Sequence, residues 1–225
     1  MDETDFTRTE YDDRLARIRR AMNAAGLEVL ILSDPSNMAW ATGYDGWSFY
    51  VHQAVVIGPD GPPLWWGRSM DAAGAKRTVW MDHAAIHGYD DTYVQNPAKH
   101  PMETLAALIA QQVWGGGRIG VEMDNYYFTA KAYLALHQAL DGAHLVDATG
   151  LVNWQRAIKS DSELEYIRRA GRIVERMHQV ILDRAEPGMR KNDLVADIYH
   201  AAITGADGHW GDYPAIVPLT PSGLD

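Results

Sequence analysis

The chain has 225 residues, 47% of them hydrophobic and 22% charged, which is the composition of a folded protein with room for one large domain or two smaller ones. Thirty acidic residues against 20 Lys plus Arg give a net charge of −10, which argues against nucleic acid held through its phosphates. Cysteine is absent, excluding disulfides, thiolate metal sites and cysteine nucleophiles.

The N-terminus MDETDFTRTE is acidic and polar where a secretory signal needs a basic start and an apolar middle, and no apolar run approaches membrane-spanning length. The expectation is a cytoplasmic protein with no membrane partner. From Tyr11 to Ala25, Leu15, Ile18 and Met22 recur at helical spacing and Gly26 follows as a cap, predicting an opening helix. Arg14, Arg17, Arg19 and Arg20 are expected on its solvated face. The apolar run LEVLIL (Leu27–Leu32) predicts a buried strand, closed by the turn formers SDPSN.

Next comes GYDGWSFYVHQ (43–53), then VHQAVVI, GPDGPP and LWWG, a strand, a Gly/Pro turn and a strand that predict a hairpin. Helical patterns around 69–81, 101–114 and 129–140 alternate with strand candidates AAIHGY, RIGVE and HLVDA, predicting an α/β domain. The glycines at 115–117 follow a helix and precede a strand, the reverse of a phosphate loop, so they read as a cap and turn.

Periodicity lapses over LVNWQRAIKS (151–160), and Ser160 with Glu163 has the spacing of a capping box. A helix is predicted from there to about Ala185, stopped by EPGM, then another over 191–204 and a strand candidate AIV. The domains are accordingly placed at residues 1–153 and 154–225. Two helices and one strand are too little for an independent core, so the second domain is expected to be cut short.

No His-Glu-x-x-His zinc motif or Gly-x-Ser-x-Gly elbow is present. His83 and His87 share a spacing that two metal ligands can use, but ordinary surface or hydrogen-bonded histidines are the preferred reading. Asp90/Asp91 and Glu122/Asp124 read as turns or solvated edges rather than acid–base pairs. Tyr126, Tyr127 and Phe128 read as packing residues. The loop 43–53 is the sharper candidate, because Tyr44, Trp47, Phe49 and Tyr50 sit among turn formers in a chain with three phenylalanines. Loop aromatics are harder to explain as core. Trp47, Phe49 and Tyr50 could line a pocket for a compact delocalised cation, each face attracting it by about 0.5–2 kcal/mol. They could equally fill a core or a subunit interface, and the residues alone leave these readings open.

RAIKSDSELEYIRRAGRIVERMHQVI followed by EPGMRKNDLVADIY resembles the creatinase/prolidase/methionine aminopeptidase superfamily, with Arg156, Lys159, Ser160, Glu163, Pro187 and Gly188 matching its pattern. DPSNMAWATGYDGWSFYVHQAVVI resembles that superfamily's creatinase-type N-terminal domain. SNMAWATGYDGWSFYVHQ, GYDDTYVQ, DATGLVNWQRAIKS and WGDYPAIVPLTPSG are similar, more narrowly, to bacterial ectoine hydrolases.

The resemblance implies an α/β creatinase-type N-terminal domain followed by the first part of an α+β pita-bread catalytic domain. It implies hydrolytic opening of the cyclic amidine ectoine to N-acetylated diaminobutyrate, with an Xaa-Pro dipeptidase, a creatinase-like amidinohydrolase or a non-catalytic protein-binding module as alternatives. It also implies a homodimer in which an aromatic from this loop reaches the partner's substrate, and Phe49 is the matching position. Trp47 and Tyr50 are candidates as its neighbours. The superfamily's metal-ligand and catalytic positions are expected beyond residue 225, so no catalytic residue, metal ligand or cofactor is expected here. The resemblance leaves the metal dependence of the complete protein open.

Overall fold

The computed structural model describes residues 6–46, 48, 50–112, 114, 117–141, 143–211, 218, 220 and 221, and the chain divides into two units, Met1–Ile158 and Lys159–Asp225. The first unit is built on a six-stranded sheet. Its strands are β1 (Val29–Leu32), β2 (Ala54–Ile57), β3 (Leu64–Arg68), β4 (Ile86–Tyr89), β5 (Arg118–Val121) and β6 (His144–Asp147), in the order β4-β3-β2-β1-β5-β6.

β2 is antiparallel to both β1 and β3, whereas the β3–β4, β1–β5 and β5–β6 pairs are parallel. Every strand except β2 therefore runs the same way, and the carboxyl ends of those strands share one edge with the start of β2. All side chains of β1 and β2 are buried, so both faces of the sheet centre are covered. One group of helices is α1 (Arg8–Ala24), α2 (Pro35–Thr42) and α6 (Leu151–Arg156), which pack together; α4 (Pro101–Gln111) packs on α5 (Ala130–Ala139), and the short α3 (Ala72–Thr78) lies against β3 and β4.

The opening helix forms as its periodicity predicts, with the Thr7 hydroxyl accepting the Glu10 N–H at its start. The solvated-face expectation fails for two of its arginines. Arg14 lies three residues after Tyr11 and four before Ile18, on the apolar stripe, and is only 3% exposed. Its charge is met inside: the guanidinium donates to the Trp40 carbonyl at 3.1 Å and to Glu10 at 2.9 Å, and lies over the Phe6 ring at 4.0 Å. Arg19 donates to the Gly58 and Gly61 carbonyls, tying α1 to the β2–β3 turn.

SDPSN does end β1, yet it also starts α2. Asp34 caps the helix by accepting the Asn37 N–H at 3.0 Å, and Pro35 sits in the first turn, where its missing N–H costs nothing. Residues 151–156 form α6 despite the lapse in periodicity, and the first residues of AAIHGY form a 3-10 turn (His83–Ala85) before β4. The second unit holds α7 (Asp161–Arg184) and α8 (Lys191–Thr204). α7 opens with the expected capping box: Ser160 N–H donates to Glu163 at 2.7 Å and Glu163 N–H to the Ser160 hydroxyl at 3.2 Å. No α7 side chain is buried, and Ile167, Val174 and Leu182 stay exposed. The strand candidate AIV lies outside the described residues.

α2 ends at Gly43, whose φ of 78° lies in the left-handed region and whose N–H donates to the Ala39 carbonyl at 2.7 Å. A Cβ there would meet the Tyr11 hydroxyl at 2.7 Å and the Thr78 backbone carbonyl at 2.9 Å. Gly43→Ala is expected to destabilise the chain by about 2–3 kcal/mol in urea unfolding, combining left-handed strain with the clash. Gly61→Ala, with φ 69° and open space around it, should cost about 1 kcal/mol. Equal losses would contradict the packing described.

Candidate functional site

The loop 43–53 joins the end of α2 to the start of β2, so topology puts it at the sheet edge where β1, β3, β4 and β5 end. Crevices at the carboxyl ends of parallel strands are where open α/β sheets bind ligands.

A buried polar network holds this edge. Glu122, directly after β5, is 4% exposed, and its carboxylate accepts the Ser33 N–H at 2.7 Å, the Asp34 N–H at 2.8 Å and the Asn37 side-chain amide at 2.6 Å. Asn37, 1% exposed, also donates to the Asn153 side chain at 2.9 Å and accepts from the Arg156 guanidinium at 2.7 Å. Burial raises the Glu122 pKa above the usual carboxylate value, opposed by the three hydrogen bonds. The expectation that Glu122 lies in a turn or on a solvated edge is therefore wrong: its strand ends inside, under the start of α2. Asp124, its sequence neighbour, is exposed.

Of the three candidate site residues, Trp47 and Phe49 lie outside the described residues. Tyr50 is 61% exposed, accepts a hydrogen bond from Arg68 at 3.3 Å, and has the Arg68 guanidinium 5.7 Å from its ring centroid. Arg68 is itself fixed by Asp71 at 2.9 Å, and Asp71 also accepts from the Ser48 hydroxyl. Tyr44 belongs to the core instead: it is 3% exposed, packs 5.3 Å from the Trp65 ring and donates to Gln53 at 2.8 Å. Burial, reinforced by Asp71, raises its phenol pKa. A loop aromatic becomes core here because α2 and β2 bracket it.

The His83 ring is held at the Lys76 carbonyl at 3.0 Å, and His87 is half-buried on β4. Asp90 caps the 3-10 turn Asp91–Tyr93 by accepting the Thr92 N–H, so the Asp90/Asp91 pair is a turn. Phe128 is buried as packing requires, whereas Tyr126 is almost fully exposed. Among the described residues no group of three or more His, Asp or Glu could hold a metal ion, and no helix is long and apolar enough to cross a membrane.

A family model described as the Creatinase/Prolidase N-terminal domain matches residues 14–158. The ectoine hydrolase of Halomonas elongata is 55% identical over 98% of this chain and 57% of its own length. Among solved structures, an Xaa-Pro dipeptidase from Bacillus anthracis superposes with a TM-score of 0.67 at 19% identity, covering 85% of this chain and 48% of its own. A prolidase from Thermococcus sibiricus superposes with a TM-score of 0.70 at 15% identity, over 88% and 51%. Both overlays cover more of the chain than Met1–Ile158 holds, so the likeness continues into the second unit. The chain spans about half the length of each of these three relatives.

The polarity of the network makes it testable. Glu122→Gln forces a donor against a donor, either at Asn37 or, if Asn37 turns over, at Arg156, and should destabilise the chain by about 1–3 kcal/mol in urea unfolding. Adding Asn37→Asp moves the negative charge next to Arg156 and restores an acceptor for the new amide, so the double variant should recover at least half of that loss. Losses that simply add would contradict the network.

Proposed function

The chain belongs to the creatinase/prolidase N-terminal domain family, and on that premise we propose that it forms the N-terminal part of a hydrolase that opens the ring of ectoine to N-acetylated diaminobutyrate. The observation that carries this reading is the 55% identity, spread over 98% of the chain, to the Halomonas elongata protein. The Xaa-Pro dipeptidase reading has a shared fold at 19% identity behind it, which speaks for architecture and not for substrate.

In this proposal the chain positions substrate and does not transfer its protons. Ectoine is a zwitterion whose amidinium charge is delocalised over a planar N–C–N unit, and an aromatic face attracts such a cation while excluding water from it. Phe49 is the residue assigned that contact, from the loop of one subunit of a homodimer over the partner's reaction centre, with Trp47 beside it. Tyr50 is assigned a supporting place at the rim, because Arg68 already engages its ring and hydroxyl. Water attack and leaving-group protonation are assigned to acidic residues and a histidine of the catalytic domain.

The test uses the complete protein that carries this chain. Phe49→Ala should lower kcat/KM for ectoine about tenfold or more, corresponding to about 1.4 kcal/mol or more of lost stabilisation, and Phe49→Tyr should retain most of it. Residues 1–225 alone should give no turnover. An unchanged kcat/KM in Phe49→Ala removes Phe49 from the site, and ectoine hydrolysis by residues 1–225 overturns the division of labour.

A further inference from the structure

Beside the loop, at the carboxyl ends of β3 and β4, lies a cavity of about 570 Å³ walled entirely by residues of the first unit. In a chain of net charge −10, this cavity is lined by Arg68, Lys99 and Lys131 together with His52 and His100, and by no Asp or Glu among the described residues. Asp71 neutralises Arg68, with Asp91 also 3.8 Å from the same guanidinium, while Lys99 donates to the Thr92 hydroxyl at 2.6 Å with the Asp90 carboxylate in electrostatic reach; the two ammonium groups are thus the lining cations without a contact ion pair among the described residues. Lys131 stands in the first turn of α5, where the helix dipole favours an acid and opposes a cation, and it forms no ion pair with a described residue.

The histidines contribute neutral groups. His52 and His100 stack with ring centroids 4.8 Å apart. Burial, then the neighbouring His100, lowers the His52 pKa to about 4, against a hydrogen bond to the Tyr127 backbone. His100 is lowered by burial and by Lys131, opposed by Glu103. The His100 Nδ1 accepts the Met102 N–H at 3.2 Å, so the neutral ring carries its proton on Nε2.

We propose that this cavity binds a small organic monocarboxylate, its carboxylate held between Lys99 and Lys131 and its carbon body against Val51, Val94 and Pro97. A cationic ligand is disfavoured because the aromatic faces are taken: Lys99 sits 4.0 Å over the Tyr93 ring and Arg68 faces Tyr50. A phosphate dianion is disfavoured because the N-terminus of α4, which would otherwise attract it, is closed by its own capping box of His100 and the Glu103 carboxylate. The volume exceeds what a bare ion fills and lies in the range of small-molecule sites. This site does not depend on the ectoine-hydrolase reading, since occupancy requires no turnover.

The experiment is a titration of the 225-residue chain with butyrate, its neutral isostere butyramide and inorganic phosphate, followed by calorimetry and by the imidazole NMR signals of His52 and His100. Butyrate should bind saturably, in the millimolar range or tighter, and shift both histidine signals. Butyramide and phosphate should each bind at least tenfold more weakly. Lys131→Gln and Lys99→Gln, both outside the buried core, should each weaken butyrate at least fivefold with the unfolding midpoint unchanged. Absence of saturable butyrate binding, equal affinity for butyramide, tighter binding of phosphate, or indifference of butyrate to both lysine variants would each overturn the proposal.

Discussion

The first unit depends on one buried charge. A carboxylate taken out of water costs several kcal/mol unless its oxygens are met by donors, and Glu122 meets that demand with two backbone N–H groups and the Asn37 amide. The same bonds set geometry. Ser33 and Asp34 directly follow β1, Asn37 is in the first turn of α2, and Glu122 directly follows β5, so one side chain ties together the ends of the central strands and the start of α2. Asn37 passes the polarity on to Arg156 at 2.7 Å, placing positive charge one residue removed from the carboxylate. Because α2 is anchored at its start, Gly43 at its end is held in place against Tyr11 and Thr78.

The sheet edge gathers what a ligand could use. With every strand but β2 running one way, the ends of β3 and β4 and the entry to β2 meet there, bringing Arg68, Tyr89 and His52 together from separate segments. Tyr89 donates to the His52 carbonyl at 2.8 Å, which locks two of these segments to each other. The charge placement is local and opposite to that of the whole chain, as expected when a site rather than solubility determines which ions are present. The two proposals thus concern neighbouring stretches of chain, since Tyr50, Val51 and His52 at the end of the loop also line the cavity.

Much of this was legible in the sequence, for reasons that are local. α1, α4, α5 and α7 carry apolar residues at helical spacing, the hairpin carries its Gly/Pro turn, and Ser160 with Glu163 announces α7 through a bond that closes within one turn. The misses are non-local or very short. α2 spans eight residues with Pro, Ser and Asn at its head, so it looks like a turn until Asp34 is seen capping it. Glu122 looks solvated beside Asp124, because its donors lie 85 to 89 residues away in sequence. Arg14 and Tyr44 are polar or loop-borne by local criteria, and their burial depends on partners outside the local pattern: the Trp40 carbonyl, which joins Glu10 in meeting Arg14, and Gln53, which meets Tyr44. The one hint was positional: Arg14 falls on the apolar stripe of its helix. The cavity could not be foreseen, since its cations are scattered from Arg68 to Lys131 and converge only once β3, β4 and the start of α5 are assembled.

The central claim is one of substrate, and it is tested most directly by competition. The complete protein carrying this chain, given equal concentrations of ectoine and an Xaa-Pro dipeptide and followed by proton NMR, should convert the ectoine signals to those of N-acetylated diaminobutyrate and leave the dipeptide intact. Cleavage of the dipeptide with ectoine untouched would contradict it.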